Sequence, residues 1–191
     1  MTDKLRILVA EDETLIRLGL RAMLTAMGHE VLLAADGRDA LHLVRTARPD
    51  LALLDIRMPL TDGLEAARVI ARKHPMPILI LTAYSDRELI DKAADLPIQG
   101  YLIKPVDERD LAAAIRVAVK RFGEAQAAAR QVAELQETLE TRKLVERARG
   151  RLMQGGLSED EAYHALQRRA REGRLSMRQV AEAVLAETDK R

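Results

Sequence analysis

Five polar residues of this chain directly follow or end apolar runs, and together they offer carboxylate, hydroxyl and ammonium groups. In sequence order they are Glu11, Asp12, Asp55, Thr82 and Lys104. The sequence therefore predicts one polar, ligand-binding site, provided that the fold brings these residues together.

The apolar runs before these residues have the length and composition of buried β-strands. Strand-like runs are found at 5–10, 31–34, 50–54, 78–82 and 100–103, and amphipathic stretches with helical spacing separate them. This alternation predicts an α/β fold, a doubly wound sheet of five parallel strands. Ligands of such sheets bind in the crevice beyond the carboxyl ends of the strands. One crevice would then collect all five polar residues.

Each member of the set also has an ordinary explanation when it is taken alone. The pair Glu11-Asp12 could be a solvated loop, and Lys104 could be a surface lysine before a proline. Thr82 could cap the following helix, with Ser85 as the competing cap. Tyr101 could be a half-buried residue of the sheet. All of these explanations would have to hold together for the site to be absent.

Length, composition and charge limit the class of protein. The 191 residues suffice for one large domain or two small ones, and 48% of them are hydrophobic, which allows a real core. The chain has no cysteine, no signal peptide and no apolar stretch that could cross a bilayer, so we expect a cytoplasmic protein without a membrane partner. Residues 142–178 contain 10 Lys+Arg against 5 Asp+Glu, whereas charges balance up to residue 122. This asymmetry suggests an anionic partner for the second half.

Residues 1–121 resemble the receiver domain of bacterial response regulators, because the acidic pair, single aspartate, threonine and Lys-Pro occur in the same order. The resemblance implies a flavodoxin-like fold and a Mg²⁺ site at which a sensor histidine kinase phosphorylates Asp55. Asp55 and Asp12 would bind the metal directly and Glu11 through water. The backbone carbonyl of Arg57 would complete the protein ligands.

The same resemblance implies roles for the hydroxyl, the ammonium and a tyrosine. Phosphoryl transfer requires mainly positioning and charge neutralisation, which Lys104 would supply together with the metal. Thr82 would rotate inward to the new phosphoryl group, and Tyr101 would follow into the vacated space as the second switch residue. Two departures from the family pattern, Val106 after Lys-Pro and the stretch 94–100, predict an unusual output geometry.

A helical linker is predicted between two domains. The sequence is strongly helical from Asp107, and we expect Phe122-Gly123 to interrupt the helix before a linker at 122–141. Small and apolar residues in and near this linker step by three and four, as in the seam of a coiled coil; they are Ala125, Ala128, Val132, Leu135 and Leu139. Both a homodimer seam and an amphipathic helix packed on its own domain fit this pattern.

The C-terminal part reads as a minimal bundle of three helices, at about 125–153, 158–171 and 176–187. Ser158 with Glu161 and Ser176 with Gln179 have the spacing of capping boxes. A small shared core is expected from Leu144, Leu152, Ala162, Leu166, Val180 and Val184.

Residues 130–187 resemble the ANTAR domain of transcription antitermination regulators. The residues that carry the resemblance are Glu140–Gly150, Leu152-Met153, Ser158–Tyr163, Leu166, Arg168–Ala170 and Val180-Ala181. It implies that the protein binds paired RNA hairpins that overlap a terminator, and that it does so as a dimer when active.

The candidate RNA-binding residues are basic side chains, one aromatic ring and one glycine. Phosphate contacts dominate nucleic-acid affinity, and the bases of hairpin loops stack on aromatic rings or arginine planes. The candidates are Lys143, Arg147, Arg149, Gly150, Tyr163, Arg168, Arg169 and Arg178. A solvated helix face is the alternative for several of the basic residues, and a core position is the alternative for Tyr163.

Two other functions compete with the phosphorylation-controlled antiterminator. A DNA-binding response regulator is suggested by residues 175–181, which resemble the first helix of a helix-turn-helix; residues 185–191 are too short and not basic enough for the recognition helix. A protein-interaction adaptor is the third class. An enzyme is not expected, because no nucleophile–base pair appears outside the phosphoacceptor pocket.

Overall fold

The computed structural model describes residues 4–83 and 95–188, which divide into two compact units. The first unit is Met1–Gln126 and the second is Ala127–Arg191. None of the described helices is long and apolar enough to cross a membrane.

The first unit is built on the predicted five-stranded parallel sheet. Its strands are β1 (Arg6–Ala10), β2 (Glu30–Ala34), β3 (Leu51–Asp55), β4 (Ile78–Thr82) and β5 (Gly100–Ile103), in the order β2-β1-β3-β4-β5. All four neighbouring pairs are parallel. Strands β3 (Leu-Ala-Leu-Leu-Asp) and β4 (Ile-Leu-Ile-Leu-Thr) are buried along their whole length, as expected for central strands covered on both faces.

Helices cover both faces of this sheet, and alternate strand residues face each of them. Helices α2 (Gly37–Ala47) and α3 (Gly63–Lys73) pack on Leu8, Ala52, Leu54 and Ile80 among others. Helix α1 (Thr14–Ala26) and the start of α4 (Glu108–Gln154) pack on the other set, which includes Ile7, Val9, Leu53 and Leu81. Asp36 and Asp62 cap α2 and α3 through their side chains.

The predicted interruption at Phe122-Gly123 is wrong, because α4 continues through it from Glu108 to Gln154. The separate helix expected to start at 125 is the later part of α4. One glycine in a helix interior costs only about 1 kcal/mol relative to alanine. The surrounding Ala, Gln, Glu and Arg residues are strong helix formers, so the cost is easily offset.

The second unit consists of the end of α4 together with α5 (Glu159–Gly173) and α6 (Met177–Thr188). Both capping boxes are confirmed: Ser158 and Glu161 bond reciprocally, as do Ser176 and Gln179. The core contains Ala148, Leu166, Val180, Ala181 and Val184. Of the other residues predicted for it, Ala162 is buried, and Leu144 and Leu152 are partly buried against the cluster.

Candidate functional site

The strand register brings the predicted polar residues to one edge of the sheet. Ala10 lies beside Leu54, Asp55 beside Leu81, and Thr82 beside Ile103. The residues that end or follow these strands therefore lie in adjacent positions, as the sequence predicted.

Lys104 forms the centre of this cluster. Its Nζ lies 2.7 Å from Glu11 Oε2 and 2.9 Å from Asp55 Oδ1. Glu11 is fully buried and Asp55 is only 5% exposed. One ammonium group thus bridges two buried carboxylates, and the Lys104–Pro105 peptide that follows is cis.

Burial and charge act in opposite directions on these three groups. Burial raises the pKa of Glu11 and of Asp55 above the usual carboxyl range, while the hydrogen bonds to Lys104 limit the rise. Burial alone would lower the pKa of Lys104, but its bonds to Glu11 and Asp55 outweigh that and raise it. The ammonium therefore stays charged and neutralises part of the carboxylate charge.

The three carboxylates fit a hard divalent cation. Glu11, Asp12 and Asp55 each offer one ligand atom, and these atoms lie within 4.8 Å of one another. The donors are all oxygens, as Mg²⁺ prefers. Among the described residues, Glu11 Oε2 is buried without a hydrogen-bond partner other than the ion pair with Lys104. Asp12 is exposed, so an ion with its waters can reach the cluster from solvent.

The loop between β3 and α3 borders the same cluster. Arg57 and Met58 line a cavity of about 490 Å³ together with Asp12. The predicted metal ligand on this loop, the backbone carbonyl of Arg57, therefore lies in the neighbourhood of the acidic pair.

The two predicted switch residues lie close to the cluster in different environments. Thr82 is buried, and its Oγ1 donates a hydrogen bond to the carbonyl oxygen of Ala83 at 3.1 Å. Tyr101 is half-buried against the core on the α2 and α3 side of the sheet, and burial raises the pKa of its hydroxyl. Ser85, the competing cap, lies outside the described residues.

Arg17 is a residue of this site that the sequence analysis missed. Its Nη1 donates to the backbone carbonyls of Glu11 at 2.6 Å and Asp12 at 3.2 Å, and its Nη2 donates to Thr14 Oγ1 at 3.3 Å. It therefore holds the loop that presents both carboxylates. The available signal was a cation in the helix directly after the acidic pair.

Gly63 is a second such residue, because it lies against the backbone of Asp55. A Cβ at this position would be 1.9 Å from the carbonyl oxygen of Asp55. The Gly63 amide also donates to the carbonyl of Ile56 at 3.0 Å. Only glycine allows this approach, so Gly63 lets the start of α3 pack directly on the backbone of Asp55.

In the second unit, ion pairs divide the basic RNA candidates into two groups. Arg149 pairs with Glu146 and Glu159, Arg169 with Glu187, and Arg178 with Glu140 and Glu182. In the part of the chain that the structure describes, Lys143, Arg147 and Arg168 are exposed and make no ion pair. The second group keeps its charge available for an anionic ligand.

The other two candidates are also accessible. Tyr163 is 41% exposed, which favours the stacking interpretation over a core position. Apart from the backbone of its own helix, a Cβ added at Gly150 would meet no atom of the described residues within 4 Å, so the space beside it is open.

Comparison with known families matches both parts of the chain. Residues 7–116 match the response regulator receiver domain, and residues 133–185 match the ANTAR domain. Both are regulatory rather than enzymatic families. A receiver domain implies a sensor kinase as partner, and an ANTAR domain implies RNA binding.

Individual relatives agree with this division. The transcriptional regulatory protein PdtaR of Mycobacterium tuberculosis is 47% identical over 182 residues, which covers 94% of this chain and 89% of PdtaR. AfsQ1, a transcriptional regulatory protein of Streptomyces coelicolor, is 41% identical over 115 residues, 60% of this chain and 51% of AfsQ1.

Solved receiver domains share the fold of the first unit. The signal receiver domain of a modulated diguanylate cyclase from Desulfovibrio desulfuricans has a TM-score of 0.61 at 32% identity and covers 64% of this chain and 99% of its own. A receiver domain protein from Clostridium thermocellum has a TM-score of 0.57 at 32% identity, over 61% of this chain and 94% of its own. The chain belongs to the two-component response regulators that combine an N-terminal receiver domain with a C-terminal, RNA-binding ANTAR domain.

Proposed function

We propose that a sensor histidine kinase phosphorylates Asp55 in the presence of Mg²⁺, and that the phosphorylated protein binds paired RNA hairpins as a dimer and so prevents transcription termination. The observation that carries the first part is the position of Lys104 between Asp55 and Glu11. A cation-binding cluster and a fixed ammonium beside one carboxylate are the elements that phosphoryl transfer needs. A target among nascent transcripts would place the protein in the cytoplasm.

The transfer step needs little from the protein beyond these groups. An oxygen of the Asp55 carboxylate attacks the phosphorus of the kinase phosphohistidine, a new O–P bond replaces the N–P bond, and the imidazole leaves. Lys104 stabilises the charge on the phosphoryl oxygens, and Mg²⁺, when it is bound by Glu11, Asp12 and Asp55, would neutralise the rest. Thr82 would give up its bond to Ala83 and donate its hydroxyl to the phosphoryl group.

Phosphorylation of the intact protein by a small phosphoryl donor tests this part. Wild type should gain one phosphoryl mass with Mg²⁺ and none with a chelator, and Asp55→Asn should gain none in either condition. Thr82→Ala should still be phosphorylated, because the Thr82 hydroxyl contacts the phosphoryl group only after the transfer. Modification of Asp55→Asn to the wild-type extent would contradict the assignment.

The output part rests on the unpaired basic residues and the exposed Tyr163 of the second unit. Binding should be measured with a tandem-hairpin RNA and a matched DNA duplex, with and without phosphoryl donor and Mg²⁺. We expect wild type to prefer RNA and to bind the tandem more tightly after phosphorylation, because two linked sites raise avidity without new contacts. Asp55→Asn should keep the affinity for a single hairpin and lose the phosphorylation-dependent gain.

Other results would identify the competing functions. Preference for the DNA duplex would support a DNA-binding regulator. Binding to neither nucleic acid would support a protein-interaction adaptor.

A further inference from the structure

A groove of about 320 Å³ lies between α4 and α6 in the second unit. From α4 it is lined by Arg147, Gly150, Arg151 and Gln154, and from α6 by Leu185. Its volume is at the lower end of the range for small-ligand sites, which suits one nucleotide rather than a whole helix.

The groove carries positive charge, and no acidic side chain of the described residues pairs with it. Within residues 4–83 and 95–188, neither Arg147 nor Arg151 makes an ion pair, and Arg151 Nη1 donates a hydrogen bond to Gln154 Oε1 at 3.3 Å. Lys143, Arg147 and Arg151 are spaced four residues apart and lie along one face of α4 over about 12 Å. The ion-paired Arg149, Arg169 and Arg178 offer no such free charge.

Gly150 forms an open part of this groove for which packing offers no reason. A glycine inside a helix is unfavourable relative to alanine, and close contact with a neighbour is the usual compensation. Here a Cβ would meet no atom of the described residues within 4 Å, apart from the backbone of its own helix. The open space is therefore available to a ligand that must come close to the helix backbone.

Resting on the proposed RNA-binding function, we propose that this groove holds one unstacked nucleotide of an RNA hairpin loop. Arg147 and Arg151 bind the adjoining phosphates, Leu185 contacts the face of the base, and Gln154 hydrogen-bonds its edge. Sequence-specific RNA recognition depends on such splayed bases, and their edges are read by polar side chains. Arg151, Gln154 and Leu185 thereby join the RNA-binding residues.

A pair of glycine substitutions in the same helix tests this proposal. The probe is an RNA hairpin selected by phosphorylated wild type from a pool with a randomised loop. Gly150→Ala fills the groove and should weaken binding about tenfold, while the melting temperature rises by about 2 °C. Gly123→Ala also has open space around it, so it should give the same stabilisation and leave RNA affinity unchanged.

Charge and base substitutions test the ligand chemistry. Arg147→Gln and Arg151→Gln should each lower affinity about tenfold and reduce the slope of log K against log salt by about 0.7. Arg171→Gln, which removes another exposed arginine, should have a much smaller effect. One abasic position in the loop should abolish the affinity difference between wild type and Gly150→Ala, because that variant has already lost the base contact.

Failure of the groove and failure of RNA binding give different results. If wild type selects a hairpin and Gly150→Ala binds it as tightly, the groove is not the site and the proposed function stands. If wild type selects no RNA, the proposed function and this proposal both fail.

Discussion

At the scale of single residues, the site depends on one lysine that bridges two carboxylates. Lys104 lies within 3 Å of both Glu11 and Asp55, yet Asp12 remains outside this bridge and exposed. Three carboxylates against one ammonium leave an excess of negative charge in a partly buried pocket. Such a pocket destabilises the metal-free fold, and a bound cation should relieve it.

Substitution of Asp55 tests whether the excess negative charge of this pocket destabilises the metal-free protein. Asp55→Asn removes one buried charge at nearly constant size, so it should raise the melting temperature of the metal-free protein by about 3 °C. It should also remove most of the increase that Mg²⁺ gives to wild type. Thermal unfolding of both proteins with Mg²⁺ and with chelator is the measurement. A metal-free variant that melts below wild type would show that the Lys104 bridge outweighs the repulsion.

Arg17 should control metal affinity without touching the metal. Its bonds fix the backbone of Glu11 and Asp12, but its positive charge also opposes a nearby cation. We expect positioning to dominate, since loss of groups that orient ligands costs about tenfold or more in metal affinity. Arg17→Ala should weaken Mg²⁺ binding in titration calorimetry by about tenfold, and Arg17→Lys should not restore it. Tighter binding by Arg17→Ala would mean that the charge is the larger effect.

At the scale of elements, helix starts determine the geometry of both units. The first residue of α3, Gly63, lies against the end of β3, so the start of this helix cannot shift without displacing the backbone of Asp55. In the second unit, two reciprocal capping boxes begin α5 and α6.

Gly63→Ala should displace the backbone of Asp55. Because the new Cβ would overlap a carbonyl oxygen, we expect a loss of about 2–3 kcal/mol in the free energy of unfolding and weaker Mg²⁺ binding. Gly19→Ala in α1 is the matched control, since open space surrounds it; it should stabilise by about 0.5–1 kcal/mol. Denaturant unfolding gives the free energy of unfolding of both variants. An equal change in Gly63→Ala and Gly19→Ala would show that α3 can shift without loss of stability.

The capping box of α5 should make the second unit sensitive to acid. Hydrogen bonds to the Ser158 side chain and backbone lower the pKa of Glu161. A lowered folded-state pKa contributes stability above the unfolded-state value, and this stability is lost as the pH falls through the lowered pKa. Wild type should thus lose more stability than Glu161→Gln between neutral pH and pH about 3, because Gln keeps the box without titrating. Thermal unfolding followed by circular dichroism at both pH values measures these losses of stability. Equal losses in wild type and Glu161→Gln would exclude the effect.

The elements also show what the sequence could and could not predict. The apolar runs predicted all five strands within one residue, and four of these runs stop at a polar residue. The signal is clearest for the central parallel strands, which must be buried on both faces. The signal at Phe122-Gly123 misled, since one glycine costs less than its helix-forming neighbours contribute. The sequence placed Lys104 in the same crevice as Asp55 and Glu11, but it did not predict the bridge that Lys104 forms or the backbone contacts of Arg17 and Gly63. These contacts depend on three-dimensional distances between elements and not on spacing.

At the scale of the whole molecule, the exposed seam of α4 supports a second copy of the chain as partner. Val132, Leu135 and Leu139 are 52%, 58% and 55% exposed, at the spacing that pairs helices in coiled coils. Three exposed branched side chains on one helix face leave apolar area that a dimer would bury.

Polar substitution of this seam should prevent dimerisation and leave single-hairpin binding intact. A variant with Val132→Gln, Leu135→Gln and Leu139→Gln should sediment as a monomer when phosphorylated, whereas phosphorylated wild type should sediment as the proposed dimer. It should also lose the avidity for tandem hairpins. Ala127→Gln with Ala133→Gln, away from the seam, is the control and should behave as wild type. A dimeric seam variant would locate the interface elsewhere.

The near-complete burial of Asp55 should affect how long a phosphoryl group stays on this residue. The proposed phosphoryl group on this carboxylate would be an acyl phosphate, which water hydrolyses. Asp55 is 5% exposed, and within the described residues the cavity lined by Asp12, Arg57 and Met58 is one opening beside the acidic cluster. The side chains at that opening would therefore affect the lifetime of the phosphorylated state. Substitutions at these loop residues would then change the duration of the response to a signal, without any change in the recognition of kinase or RNA.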